Sequence, residues 1–175
     1  MFVVANNVVQ FTLFPNRPDH ATLFTTSPFD RDKWLLKQKI GKYCRLTPEQ
    51  LIRCETHVQL WKHCIRLNQP ILVVESRTHF QPCDVYMACD MLLVGFAMKH
   101  TPPQYVTNHI DQSNLVVPSK LIDVFAYVIT PRGAKYLVQN ATPYNQPLET
   151  YIEYVMNNNK SFHCLGVYPS LLSTI

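Results

Sequence analysis

The sequence predicts an α/β fold, with one domain over residues 1–175 and a mostly parallel central sheet flanked by helices. Uninterrupted apolar runs such as ILVV at 71–74 alternate along the chain with helical patterns, as they do in layered α/β domains. Such runs are typical of central parallel strands that are covered on both faces. A chain of 175 residues with 47% apolar and 16% charged residues is also long and apolar enough to bury one core.

The first forty residues are expected to contribute two short strands, a loop and a short helix. Residues 2–5 and 8–14 are β-branched and aromatic runs separated by Asn6-Asn7, which predicts a strand, a turn and a second strand. Residues 15–31 carry three prolines and predict a loop. Residues 32–42 can form one or two helical turns.

A long amphipathic helix is predicted to begin at Thr47. Thr47 can cap the helix, Pro48 suits its first position, and Gln50 stands three residues after the cap. Apolar residues recur at three- and four-residue spacing along one face: Leu51, Cys54, Val58, Trp61 and Ile65. Asn68-Gln69-Pro70 ends the pattern, and the apolar run 71–74 follows at once as a buried strand.

The second half of the chain repeats this alternation of strands and helices. Residues 87–98 and 124–130 are apolar runs that predict buried strands, and Pro131 opens a helix directly after the second run. Another helix is predicted over 148–159 and an extended segment over 162–172.

Charge and cysteine content predict a cytoplasmic protein. The net charge of +4 is modest and the basic residues form no run, which argues against nucleic acid as the partner. The six cysteines include no CxxC pair, and the N-terminus reads as a strand and not as a signal peptide, so reduced thiols are expected. No stretch reaches the length of a membrane span. The oligomeric state stays open.

Glu75 is the strongest candidate for a site in the sequence itself. It leaves a buried apolar run, and ligands of open α/β sheets bind at the carboxyl ends of strands. The alternative is that Glu75 caps a turn or pairs with Arg77. Motifs for a dinucleotide fold, a P-loop, a zinc protease and a serine hydrolase are all missing.

The order of segments resembles glycosyltransferase family 25, the lipooligosaccharide-type galactosyl- and glucosyltransferases and their procollagen relatives. Thr56-His57 stands for a Ser-His pair on the family's helix, and Leu60-Trp61 for the Leu-Trp pair after it. Glu75 matches the first residue of an acidic Glu-Asp-Asp cluster at a strand end. FAYVITPRGAKYLV at 125–138 is similar to a later strand and helix, and Glu149 stands for an Asp at the start of another helix. The resemblance covers about residues 46–172.

The resemblance implies a GT-A-like nucleotide-sugar-binding fold. Its implied activity is transfer of a hexose, galactose or glucose, from a nucleoside diphosphate sugar to a glycan or other hydroxyl acceptor, with inversion. It also implies a divalent metal, Mn²⁺ or Mg²⁺, at the diphosphate. The residues predicted for the site, partly from the resemblance and partly from where this sequence departs from it, are Glu149, Glu75 and His57 for catalysis, Arg77, Ser76, Thr56 and Tyr127 for the donor, and Glu75, Asp84 and Asp90 for the metal.

The acidic cluster departs from the family pattern, because Ser76 and Arg77 follow Glu75 here. Three interpretations stay open. Arg77 could stabilise the diphosphate in place of a metal. Asp84 or Asp90 could supply the missing ligand. The chain could instead be a catalytically inactive module that binds a nucleotide, a glycan or a protein partner.

Overall fold

The computed structural model describes residues 2–5, 8–13, 22–25, 29–75, 89–99, 105–110, 113–168 and 170. The described strands are β1 Phe2–Ala5, β2 Val8–Leu13, β3 Thr22–Thr25, β4 Ile71–Glu75, β5 Met91–Met98, β6 Tyr105–Ile110, β7 Ser113–Val116, β8 Leu121–Ile129 and β9 Cys164–Tyr168. The described helices are α1 Arg31–Leu36, α2 Pro48–Leu67, α3 Pro131–Gln139 and α4 Leu148–Asn158.

The fold is α/β, as predicted, but its sheet is mixed and not mostly parallel. The described strands form one sheet in the order β3-β2-β1-β4-β8-β5-β9-β7-β6. Pairings β1–β4 and β5–β9 are parallel. The central strand β8 is antiparallel to both of its neighbours, β4 and β5.

The prediction of parallel strands was wrong because an apolar run reports burial on two faces and not strand direction. Ile71 and Val73 of β4 belong to one buried cluster, whereas Leu72 and Val74 point into another. Residues of α2, α3 and α4 belong to the first cluster. Antiparallel strands covered on both sides therefore carry the same run of apolar residues as parallel ones.

The start of α2 is confirmed in detail. The Thr47 hydroxyl accepts a bond from the backbone N–H of Gln50, whose side chain accepts from the backbone N–H of Thr47. The helix ends at Asn68 in the left-handed region (φ 52°), and β4 begins three residues later. This short connection fixes α2 against the strand that ends in Glu75.

Other segments follow the predictions less closely. The predicted strand over 124–130 begins earlier, at Leu121, and the helix opened by Pro131 is confirmed as α3. Residues 15–31, expected to be a loop, contain β3, which pairs with β2. Strands β6 and β7 were not predicted. No helix in the described ranges is long and apolar enough to cross a membrane.

Candidate functional site

Four of the residues singled out in the sequence meet at the end of the sheet where strand β4 finishes. They come from separate elements: His57 from α2, Glu75 from the end of β4, Tyr127 from β8 and Glu149 from the first turn of α4. His57 Nδ1 lies 2.6 Å from the Tyr127 hydroxyl, and His57 Nε2 lies 3.1 Å from Glu75 Oε1. Glu149 joins them through a residue that the sequence did not single out.

That residue is Arg53, one helical turn before His57 on α2. Its Nε donates to Glu75 Oε1 at 2.6 Å, and its Nη1 donates to Glu149 Oε1. Its Nη2 donates to Asp123 Oδ1 at 3.1 Å and to the backbone carbonyl of Val124 at 2.8 Å. One guanidinium thus joins α2 to β4, β8 and α4. We call Arg53, Glu75, Asp123 and Glu149 the Arg53 cluster.

Charge sets the protonation states within the Arg53 cluster. Burial alone would lower the pKa of Arg53, but the charges of Glu75 and Glu149 outweigh it and raise that pKa. Burial alone would raise the pKa of Glu75, but the bond from His57 and the charge of Arg53 outweigh it and lower that pKa. Arg53 is therefore a fixed cation and Glu75 a fixed carboxylate at neutral pH.

A chain of hydrogen bonds leads from the core to Glu75. Trp61 Nε1 donates to the Tyr127 hydroxyl at 2.9 Å, so the Tyr127 proton is directed to His57 Nδ1. His57 then carries its own proton on Nε2 and donates it to Glu75, a tautomer inferred from these partners. Trp61, Tyr127 and His57 are all fully buried. Burial raises the pKa of Tyr127 well above its ordinary value, so its hydroxyl keeps the proton that this chain requires.

Asp123 is the most exposed acid of the Arg53 cluster. Its side chain is 45% exposed, against 19% for Glu75 and 10% for Glu149. Burial, together with the charges of Glu75 and Glu149, raises the pKa of Asp123 above its ordinary value and outweighs the charge of Arg53, which lowers it. Asp123 thus combines access to solvent with a raised proton affinity.

The other residues predicted for the donor or metal site lie elsewhere or outside the described residues. Thr56 is buried on α2, where its hydroxyl donates to the carbonyl of Ile52 at 2.8 Å. Ser76, Arg77 and Asp84 fall outside the described residues.

Asp90, a predicted metal ligand, lies at the opposite end of the sheet from Glu75. Ile71 of β4 and Met91 of β5 both pair with Ile129 of β8, so Asp90 precedes the level at which β4 begins. Five residues of strand separate the levels of Asp90 and Glu75, roughly 16 Å. The two carboxylates therefore do not share one ion. Asp90 instead accepts two bonds from Arg132, at 2.6 and 2.9 Å, and one from the backbone N–H of His163.

The described acids of the cluster do not fit a divalent metal. Glu75 Oε1, Glu149 Oε1 and Asp123 Oδ1 all accept from Arg53, so a metal at these atoms would stand against the guanidinium. Within the part of the chain that the structure describes, no group of three or more His, Cys, Asp and Glu side chains is arranged to hold a metal ion.

Arg53 and Asp123 were both missed in the sequence, and only Arg53 left a signal there. Arg53, His57 and Trp61 are spaced four residues apart, so they share one stripe of α2. A charged residue on the same helix face as residues expected to be buried indicates that it has acidic partners in the folded protein. Asp123 stands near the start of a long apolar strand and carries no comparable pattern.

Comparisons with known proteins leave the family open. No protein-family model matches the chain, and no curated protein matches it significantly. The resemblance to glycosyltransferase family 25 therefore remains a prediction based on the motifs and their order.

Proposed function

We propose that this chain is a glycosyltransferase that transfers a hexose, galactose or glucose, from a nucleoside diphosphate sugar to a glycan or other hydroxyl acceptor. One observation supports this above all others. Four of the residues predicted for the site, His57, Glu75, Tyr127 and Glu149, belong to one hydrogen-bonded network at a strand end, which Glu149 joins through Arg53. These residues come from four different helices and strands, so their meeting in space supports a shared site.

Transfer with inversion requires one displacement and one base. The acceptor oxygen forms a bond to the anomeric carbon, while the bond from that carbon to the diphosphate oxygen breaks and its electron pair leaves with the diphosphate. The acceptor proton goes to a carboxylate. The resemblance gives that role to Glu149, but Glu149 is buried and bonded to Arg53. Asp123 also accepts from Arg53, but its side chain is far more exposed than that of Glu149 and its pKa is raised, which favours Asp123 as the base.

The remaining parts of the proposal concern the donor and the location. Three carboxylates against one guanidinium leave the Arg53 cluster acidic, which suits bonds from sugar hydroxyls better than contact with a diphosphate. Arg77 remains the candidate for the diphosphate, and the misfit of the described acids of the Arg53 cluster supports a metal-independent reaction. The domain is proposed as GT-A-like and cytoplasmic.

A catalytically inactive module of the same ancestry is the second candidate, and Arg53 favours it. The bond from His57 and the charge of Arg53 lower the pKa of Glu75 and make it a weak base, and Glu149 Oε1 is occupied by a bond from Arg53. Such a chain would bind a nucleotide, a glycan or a protein partner without turnover.

Incubation with a panel of sugar nucleotides separates the two candidates. We expect release of the nucleoside diphosphate from UDP-galactose or UDP-glucose, in EDTA as well as in Mn²⁺, together with thermal stabilisation by the donor. Asp123→Asn should lower kcat by about 10²- to 10⁴-fold. Asp32→Asn, which changes an exposed acid on α1, should leave kcat unchanged.

Each other outcome has a defined meaning. Stabilisation by a donor without turnover would favour the inactive module. The absence of both stabilisation and turnover with every donor would contradict the transferase and would favour an inactive module that binds a glycan or a protein partner. Full turnover of Asp123→Asn would show that Asp123 is not the base.

A further inference from the structure

The acids of the Arg53 cluster converge from three elements, and a single side chain holds them together. Glu75 ends β4, Asp123 lies near the start of β8, and Glu149 lies in the first turn of α4. In each of them, one carboxylate oxygen accepts a bond from Arg53. The guanidinium makes four bonds in all, counting the one to the carbonyl of Val124. It fills the space that the three acids surround.

Glu75, Asp123 and Glu149 lie close enough together that a nearby positive charge is required to stabilise them as carboxylates. Three carboxylates brought together at a partly buried edge repel one another, and the resulting cost is removed by protonation, by a bound metal or by a basic side chain. Arginine suits this role because it stays charged and its planar fork donates to several oxygens at once. Arg53 is only 25% exposed, so it is part of the structure of this edge and not a surface ion pair.

We infer that Arg53 is an internal cation that takes the place of a divalent metal among Glu75, Asp123 and Glu149. The resemblance implies a metal at the end of this strand, and the geometry disagrees, because the oxygens a metal would use are already bonded to the guanidinium. Arg53 thus acts as a positioning residue that orients the acids. The inference rests on the proposed function only in so far as those acids serve transfer.

Removal of the guanidinium should uncover a metal site. Three carboxylate oxygens would then face one empty position, and a set of oxygen ligands with excess negative charge binds Mn²⁺. We expect Arg53→Ala to bind Mn²⁺ at least about tenfold more tightly than the wild-type protein does. The matched control, Arg53→Lys, keeps a cation at this position and should gain no such affinity.

Mn²⁺ alone serves as the probe, with binding followed by electron paramagnetic resonance and by thermal stabilisation. The double variant Arg53→Ala/Glu75→Gln should lose the gained affinity. If Arg53→Ala folds and binds Mn²⁺ no more tightly than the wild type, the inference is overturned. A loss of stability alone, without this gain, would be the result for a purely structural arginine.

The wild-type protein supplies a second measurement that does not depend on the folding of Arg53→Ala. Mn²⁺ should bind the wild type and Glu75→Gln equally, because Glu75 is not a metal ligand while Arg53 is present. Mn²⁺ binding to the wild type that Glu75→Gln weakens would overturn the inference. Neither experiment contains a sugar donor, so their failure is distinct from a failure of the proposed transferase activity.

Discussion

Both ends of the sheet join an arginine to a buried acid, but the arginine is exposed at one end and largely buried at the other. At the start of β5 the acid is inside: the Asp90 side chain is 1% exposed, whereas the Arg132 side chain is 66% exposed. At the end of β4 the Arg53 side chain is only 25% exposed, and the side chains of its three acidic partners range from 10% exposed at Glu149 to 45% at Asp123.

The difference between these two regions separates a structural ion pair from a candidate site. The Asp90 side chain accepts from Arg132 and from the backbone N–H of His163, and its backbone carbonyl accepts from the backbone N–H of Thr130. These bonds connect the start of β5 to the start of α3 and to the segment before β9. Gly133 approaches so closely that a Cβ there would meet that carbonyl. The Asp90 charge is balanced, whereas the Arg53 cluster keeps excess negative charge and an exposed acid.

The largest effect is expected at Arg53. Arg53→Met leaves three carboxylates without their cation, so the free energy of unfolding should fall by about 3 kcal/mol at neutral pH. Urea denaturation measures it. Arg66→Met, the same change at an exposed position of α2, should stay within about 0.5 kcal/mol. Equal losses in both variants would show that the acids do not depend on Arg53.

A smaller effect is expected at Asp90. Asp90→Ala leaves the backbone N–H of His163 without its acceptor at a partly buried position and removes the acceptor of Arg132, so stability should fall by about 2 kcal/mol in urea denaturation. Donor turnover and Mn²⁺ binding should not change, because Asp90 lies at the other end of the sheet. A loss of donor turnover in a folded Asp90→Ala protein would break the contrast between the two regions.

The smallest effect on stability is expected from lowering the pH. The pKa of Glu75 is lowered in the folded state, so its stabilising contribution is complete above the ordinary value of 4.5 and is lost as pH falls below it. Asp123 acts in the opposite sense, because its pKa is raised. The stability difference between the wild type and Glu75→Gln should therefore shrink as pH falls from about 5 to about 3. A constant difference over that range would contradict a lowered pKa of Glu75.

Local chemistry in the sequence determined the elements that carry the site. The cap at Thr47 and the stop at Asn68 set the ends of α2, since these depend on a few neighbouring backbone and side-chain groups. The apolar run 71–74 predicted a buried strand that ends at Glu75, because burial on both faces demands it. Motif order then selected His57, Tyr127 and Glu149, which lie together.

Tertiary structure alone decided how these elements face one another. The direction of β8, which is antiparallel to both β4 and β5, makes the sheet mixed, and no local pattern encodes strand direction. Likewise, Arg53 meets Asp123 and Glu149, which are 70 and 96 residues away. The sequence shows that Arg53 is charged, but its partners depend on which distant segments the folded core brings to the end of β4.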